Sequence, residues 1–168
     1  MTLTNAIIPV RMFIAAVLRN LNIPRDEKPR DHDMIRYIMA YAVTAVVFLA
    51  VDYIWLSRAM GFYRNSLGDL LADKPNLFAA AAFYSIYFVG IVVFAIMPAA
   101  RNGGWVSASL LGGLLGLVAY ATYDLTNLAT LSRWPLVITI VDMVWGTFIT
   151  ALASVAGFIA VRCFAPLE

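Results

Sequence analysis

The chain has 168 residues, of which 62% are hydrophobic, and its formal net charge is +2. A soluble domain of this length is about 45–50% apolar and buries only about 70% of its unfolded surface, so the excess apolar surface here must face lipid. The basic residues gather near the N-terminus rather than on one folded face, which argues against a nucleic-acid-binding protein. A single cysteine excludes an intramolecular disulfide. Together with the single histidine, it also argues against a metal site built from cysteine and histidine.

The first element is an amphipathic segment, residues 1–21, in which apolar residues recur at roughly helical spacing. Arg11 and Arg19 lie two turns apart, and Arg11 interrupts a stretch that is too short to cross a bilayer, since a span needs about 20 apolar residues. We expect a helix lying on the membrane surface. A secretory signal is the alternative, disfavoured because the apolar core is broken and no small-x-small cleavage site follows.

A charged linker follows at residues 22–36, where two prolines stand among residues of both charges. This composition predicts an exposed, flexible hinge. Four apolar runs come next, each of at least 21 residues and therefore long enough to cross the bilayer as a helix. They are residues 37–57, 77–97, 105–128 and 135–161. The predicted fold class is all-α: an integral membrane four-helix bundle over residues 37–161, with an N-terminal amphipathic interfacial helix and a cytoplasmic tail at 162–168.

The orientation follows from the basic residues. With four spans both termini lie on one side, and that side collects eight of the twelve lysines and arginines: Arg11, Arg19, Arg25, Lys28, Arg30, Arg36, Arg101 and Arg162. Cytoplasmic loops carry the excess of basic residues, so both termini are predicted to be cytoplasmic.

Three aspartates lie inside the predicted spans, namely Asp52, Asp124 and Asp142. An acid at the centre of a membrane helix costs about 2.5–3.5 kcal/mol on insertion scales, so three of them indicate a purpose. Counted at about 1.5 Å per residue, all three fall in the outer half of the bilayer at similar depth. Several carboxylates close together in a low dielectric cannot all be ionised, and sharing protons, a nearby arginine or a bound cation would relieve the conflict.

The acids lie on stripes of small and polar residues that should face the bundle interior, because lipid rejects polar groups and glycine permits close approach of helices. Gly112 and Gly116 form one such small-residue pattern on the third run. We predict an outward-opening polar pocket. Its candidate ligand-binding residues are Asp52, Asp124, Asn127, Asp142, Tyr84, Tyr87, Tyr120, Trp55 and Trp145.

The alternative for the same residues is structural. Buried polar side chains often only join membrane helices by hydrogen bonds, worth about 0.6–2 kcal/mol each.

Two short segments of the chain are similar to each other. Residues 51–55 (VDYIW) resemble residues 141–145 (VDMVW) on a helix that runs in the opposite direction, as an inverted repeat would place them. Chance is the competing explanation, because aspartate and tryptophan both suit a polar groove near the membrane interface.

Four segments carry a family resemblance: residues 52–56, 120–127, 134–135 and 142–146. Together they resemble an uncharacterised bacterial membrane-protein family, domain of unknown function 2177 (DUF2177), over about residues 34–161. The resemblance implies a small protein of the bacterial inner membrane, and it brings no activity, cofactor or catalytic residue with it.

Three functions remain open. The first is binding or transport of a proton, a cation or a small amphiphile; for transport we expect a homodimer, since four helices make a narrow pathway. The second is a non-catalytic accessory subunit of a larger membrane complex. The third is a membrane-embedded enzyme that modifies a lipid with an aspartate as acid or base, and no histidine-rich or serine-nucleophile signature supports it.

Overall fold

The computed structural model describes residues 31–164, so the predicted surface helix, residues 22–30 of the linker and residues 165–168 of the tail lie outside the described part. Within the described range the chain is helical and contains no strand. We number the helices α1 Asp31–Leu67, α2 Leu77–Ile91, α3 Met97–Asn102, α4 Trp105–Thr130 and α5 Leu136–Phe164. A 3₁₀ turn, Gly68–Leu70, follows α1, and a π-helical turn, Val92–Ile96, joins α2 to α3.

Four helical stretches of the described chain are long and apolar enough to cross a membrane: Met34–Leu70, Leu77–Arg101, Trp105–Thr130 and Leu136–Cys163. The predicted all-α bundle of four membrane-spanning helices is confirmed in these residues. Large apolar side chains on their outer faces remain exposed, such as Phe78, Ile86, Leu110 and Val144, as expected of surfaces that face lipid.

The first helix is longer at both ends than the sequence predicted. It begins at Asp31 rather than after residue 36, and it continues to Leu67 rather than ending at residue 57. Hydropathy marks the part of a helix that is immersed in lipid, whereas the hydrogen-bond ladder continues through charged residues. The chain then turns at Gly68, whose φ of +53° lies in the left-handed region that favours glycine.

The start of the second spanning helix and the π-helical turn within it both have identifiable causes. The Asn76 side chain caps its start by accepting hydrogen bonds from the backbone N–H groups of Phe78 and Ala79, both at 3.1 Å. Further along, Pro98 has no N–H to donate to the carbonyl four residues earlier, and its ring crowds that carbonyl. The π-helical turn Val92–Ile96 ends two residues before this proline and accommodates it by widening the helix.

A close helix contact joins α4 to α5 and depends on glycine. A Cβ atom added at Gly116 would collide with the backbone oxygen of Gly146, and one added at Gly112 would collide with Ser154. The small-residue pattern predicted from Gly112 and Gly116 therefore lies in the helix interface. Such close approach lets dispersion contacts hold helices together where lipid removes the hydrophobic driving force.

Helix α1 joins the bundle through an aromatic cluster. Phe48 is fully buried and meets the rings of Tyr84, Tyr87 and Phe88 edge-on, with centroid distances of 5.5–5.9 Å. The stripes predicted to face inward are buried or half-buried along α1, α4 and α5. Contacts from Thr44 to Ala153 and from Trp55 to Trp145 show that α1 and α5 run antiparallel. This arrangement brings Asp52, Asp124 and Asp142 to one end of the bundle, which we call the acidic end.

Candidate functional site

Asp52 is held by two donors from other helices. Its carboxylate accepts a hydrogen bond of 2.8 Å from the Tyr84 hydroxyl on α2 and one of 3.1 Å from the Trp145 indole N–H on α5. The side chain is only 7% exposed. A buried carboxylate is costly unless it is hydrogen-bonded, so these two donors explain how α1 can hold an acid inside the bundle.

Asp142 has a different partner, Tyr63, which was not among the predicted residues. The Tyr63 hydroxyl donates a short hydrogen bond to Asp142 and accepts one of 3.3 Å from the Trp55 indole N–H. Tyr63 was placed in a loop because the first span was expected to end at residue 57. The available signal was its spacing: Tyr63 lies eight residues after Trp55, about two turns along the same face of α1.

The two tryptophans form the centre of this arrangement. Trp55 and Trp145 stack with their ring centroids 4.4 Å apart and their planes 13° from parallel. Trp145 on α5 donates to the aspartate of α1, whereas Trp55 on α1 reaches the aspartate of α5 through Tyr63. Helices α1 and α5 are therefore joined by reciprocal aspartate–tryptophan links around one stacked pair.

Asp124 on α4 differs from both other acids. Its side chain is fully buried, and neither carboxylate oxygen has a hydrogen-bond partner among the described residues. Asp142 lies close enough to interact electrostatically with Asp124 and also with Asp52. Electrostatic interactions through Asp142 thus join the three acids in one group. Leaving a buried acceptor without a donor costs about 1–3 kcal/mol, and more for a charged group.

A cavity of about 310 Å³ lies beside the unpartnered acid. Its walls carry two carboxylates and three aromatic rings, from Phe83, Tyr120, Tyr123, Asp124 and Asp142, together with Ala119. The cavity is partly open. Small-ligand pockets commonly enclose about 300–1,000 Å³ and combine apolar walls with a few polar groups, and this cavity matches that description at the lower end.

Tyr120 lies in this wall because Gly146 leaves room for it. The Tyr120 ring occupies the space that a Cβ atom at position 146 would need. Its hydroxyl lies within electrostatic range of Asp52 and Asp142. Near the C-terminal end of α4, Tyr123 meets the Trp134 ring edge-on at 5.7 Å, and the Trp134 N–H donates to Thr139 at 3.1 Å.

Two of the predicted residues, Tyr87 and Asn127, do not line the cavity and have other partners. Tyr87 shares a hydrogen bond of 2.8 Å with Thr150, nearer the middle of the bundle, and so helps to join α2 to α5. Asn127 is half-buried, does not line the cavity and interacts with the side chain of Tyr123 on its own helix. Tyr84, Trp55 and Trp145 do lie with the acids, but as partners of Asp52 and Tyr63 rather than as cavity walls.

Of the predicted residues, Asp124, Asp142 and Tyr120 line the cavity. Phe83 and Tyr123, which also line it, were not singled out from the sequence, since aromatic residues are frequent in every span. Among residues 34–101 and 103–163, whose side chains the structure describes, no three or more His, Cys, Asp or Glu side chains are grouped closely enough to hold a metal ion. Chemically, the cavity offers two carboxyl groups and aromatic faces within an apolar wall.

Comparisons with known proteins agree with the membrane architecture. No curated protein and no solved structure matches the chain. The family model described as "Predicted membrane protein (DUF2177)" matches residues 37–159, which cover all four spanning helices except for the first turn of the first and the last turn of the fourth. The match therefore contains every residue of the acid cluster and the cavity. By this match, the chain belongs to the DUF2177 family of membrane proteins.

Proposed function

We propose that this membrane protein binds a small organic cation or cationic amphiphile in the cavity at its acidic end. One observation carries the proposal: Asp124 is fully buried beside the cavity, and neither carboxylate oxygen is hydrogen-bonded within the described chain. Asp52 and Asp142, in contrast, both have donors. The helices satisfy two of the acids and leave the third to be satisfied by something that enters the cavity.

The chemistry of the walls favours an organic cation over a metal ion. Hard metal cations take six or more oxygen ligands at short distance, whereas two carboxylates and apolar walls supply too few. Aromatic faces attract organic cations, and Phe83, Tyr120 and Tyr123 offer three rings beside two acids. A proton is the simplest competitor for Asp124, because a protonated carboxyl group is neutral and tolerates burial.

Transport is the further step of this proposal. We place both termini in the cytoplasm and the acidic end toward the outside, as the distribution of basic residues favours. Four helices form a narrow bundle, so a pathway through the membrane would require a second copy of the chain. A charged ligand bound in the outer half of the bilayer would have crossed only part of the distance, and movement of helices would have to complete the path.

Binding can be tested with benzyltrimethylammonium and its neutral isostere neopentylbenzene, by equilibrium dialysis against the purified protein in detergent. The native chain should bind the cation saturably and the isostere at least about tenfold more weakly, since only the cation is attracted by Asp124. Asp124→Asn keeps the shape of the side chain and removes the charge. It should weaken cation binding by about tenfold or more while thermal stability is unchanged or higher.

Asp73→Asn is the matched control, since Asp73 is an exposed acid in the loop after α1 and should leave binding unchanged. Equal binding of the cation by the native chain and by Asp124→Asn would refute the proposal, as would equal binding of cation and isostere. Uptake of the cation into proteoliposomes then separates two outcomes. Uptake supports transport, whereas binding without uptake favours an accessory subunit that holds the ligand for a partner.

A further inference from the structure

A second cavity lies at the opposite end of the bundle and has the opposite charge. It encloses about 170 Å³ between α1, the end of the second spanning helix and α5. Arg36 from α1 and Arg101 from α3 both line it, and the remaining wall is mostly apolar, including Ala40, Ile96 and Val161. Nothing in the acidic site involves these residues, so this cavity is separate from the proposed cation site.

The two arginines that line this second cavity, which we call the arginine cavity, indicate an anionic ligand. Arginine presents its donors in a rigid planar fork that fits the oxygens of a phosphate, and two forks on one wall can hold a phosphate from two sides. Arg36 stands near the start of the first span and Arg101 ends the second, so both lie where phospholipid headgroups meet the bilayer.

An apolar groove extends from this cavity along the outer face of the bundle. It encloses about 410 Å³ between α1 and the second spanning helix. Tyr37 and Met97 line both the arginine cavity and the groove, so the two spaces adjoin. From Met97 the groove reaches back to Val89, eight residues toward the middle of the bilayer, or about 12 Å at the helical rise.

The π-helical turn contributes to both spaces. Val92 and Val93 line the groove, and Ile96 lines the arginine cavity. A π-helical turn carries one extra residue and widens the helix, and such turns are frequent at functional sites. Pro98 explains why the turn is wide. The turn lies where the arginine cavity and the groove adjoin, so its widened backbone helps to shape both spaces.

We propose that the arginine cavity and the groove form one binding site for an anionic phospholipid. Its phosphate lies between Arg36 and Arg101, and one acyl chain lies in the groove along Val89 and Val93. Basic pockets between membrane helices are a known way of recognising anionic headgroups. The apolar groove beside the charges distinguishes a lipid from a free phosphate, because a free phosphate has nothing to place there.

The test uses the full chain in detergent and three probes: dioctanoyl phosphatidylglycerol, dioctanoyl phosphatidylcholine and inorganic phosphate, with bound species counted by native mass spectrometry. The native chain should bind phosphatidylglycerol about tenfold more tightly than phosphatidylcholine. Arg101→Gln should remove most of that preference, and Arg101→Lys should retain part of it, because lysine keeps the charge but loses the fork. Val93→Phe fills the groove and should weaken binding of both lipids.

Arg64→Gln is the control, since Arg64 is an exposed arginine near the other end of α1 and should leave the preference intact. Three results would overturn the proposal: equal affinity for the two lipids, an unchanged preference in Arg101→Gln, or inorganic phosphate bound as tightly as phosphatidylglycerol. The last of these would identify a free-anion site. Circular dichroism of each variant establishes that the helices are intact, and Arg101→Lys remains informative if Arg101→Gln fails to fold.

Discussion

The glycine contact between α4 and α5 can be tested with one methyl group. A Cβ atom at Gly116 would meet the backbone oxygen of Gly146 and would lie 2.7 Å from Oγ1 and 2.8 Å from Cβ of Thr150. A backbone oxygen cannot rotate away, so Gly116→Ala must push the two helices apart. Gly113, three residues earlier on the same helix, has ordinary space: its nearest neighbours include the Cβ atom of Ala151 at 3.7 Å.

Comparing the two substitutions cancels the contribution of helix propensity to the free energy of unfolding. Alanine is favoured over glycine in a helix interior by about 0.8–1.0 kcal/mol, and the gain applies to both substitutions. The remaining difference is the strain of overpacking, which costs about 1–3 kcal/mol in a well-packed interior. Gly113→Ala should therefore be neutral or stabilising, and Gly116→Ala should be less stable than Gly113→Ala by about 1–3 kcal/mol.

The assay is unfolding of the purified protein in mixed micelles by titration with sodium dodecyl sulfate, followed by tryptophan fluorescence. A difference of about 1.4 kcal/mol corresponds to tenfold in the folded-to-unfolded ratio, which is readily measured. Equal stability of the two variants would refute the close approach at Gly116. The same displacement should also alter the cavity, because Asp124 on α4 and Asp142 on α5 form parts of its wall.

Two further predictions concern α1. Tyr63→Phe removes the hydrogen-bond donor to Asp142 and should lower the free energy of unfolding by about 1–3 kcal/mol in the same titration. The control is Tyr53→Phe, at an exposed position on the same helix, which should change the free energy of unfolding by less than about 0.5 kcal/mol. For the orientation, Asp73→Cys in a chain whose native Cys163 is replaced by alanine should react with an impermeant thiol reagent in intact cells; reaction only after lysis would reverse the orientation.

Much of the architecture could be predicted because a membrane constrains it strongly. Only helices satisfy their backbone within a single apolar run, so run length determined the number of spans. The inward faces were predictable from small and polar residues at steps of three and four, since lipid excludes polar groups from the outer faces. Both rules predicted burial of Asp52 and Asp124, which are 7% and 0% exposed.

The partners of the acids were harder to predict, because they depend on register between helices. Tyr84 and Tyr87 are three residues apart on nearly the same face, yet one binds an acid and the other binds Thr150. The Phe48 ring contacts both tyrosines. Such side-chain packing fixes the depth of each tyrosine relative to the neighbouring helices, and hydrophobic periodicity does not describe it. Tyr63 was missed for another reason: charged residues after position 57 end the apolar run, although the helix continues.

The resemblance between residues 51–55 and 141–145 has a physical counterpart in the acidic end. Each segment supplies an aspartate and, three residues later, a tryptophan, and the tryptophans stack on each other. The two links differ in one respect, since Trp145 donates to Asp52 directly, whereas Trp55 reaches Asp142 through Tyr63. Because the two segments contact each other reciprocally on antiparallel helices, each needs an aspartate and a tryptophan at the same spacing. Similar residues would therefore be favoured in both segments whether or not they arose as an inverted repeat.

This reciprocal arrangement also separates the roles of the three acids. Asp52 and Asp142 are satisfied by the helices, so substituting either removes a link between α1 and its neighbours, and lost stability would accompany any lost binding. Asp124 belongs to neither link and has no hydrogen-bond partner within residues 31–164. It is therefore the one acid at which a structural role and a ligand-binding role make opposite predictions: removing its charge should preserve the fold under the binding hypothesis and weaken it under the structural one.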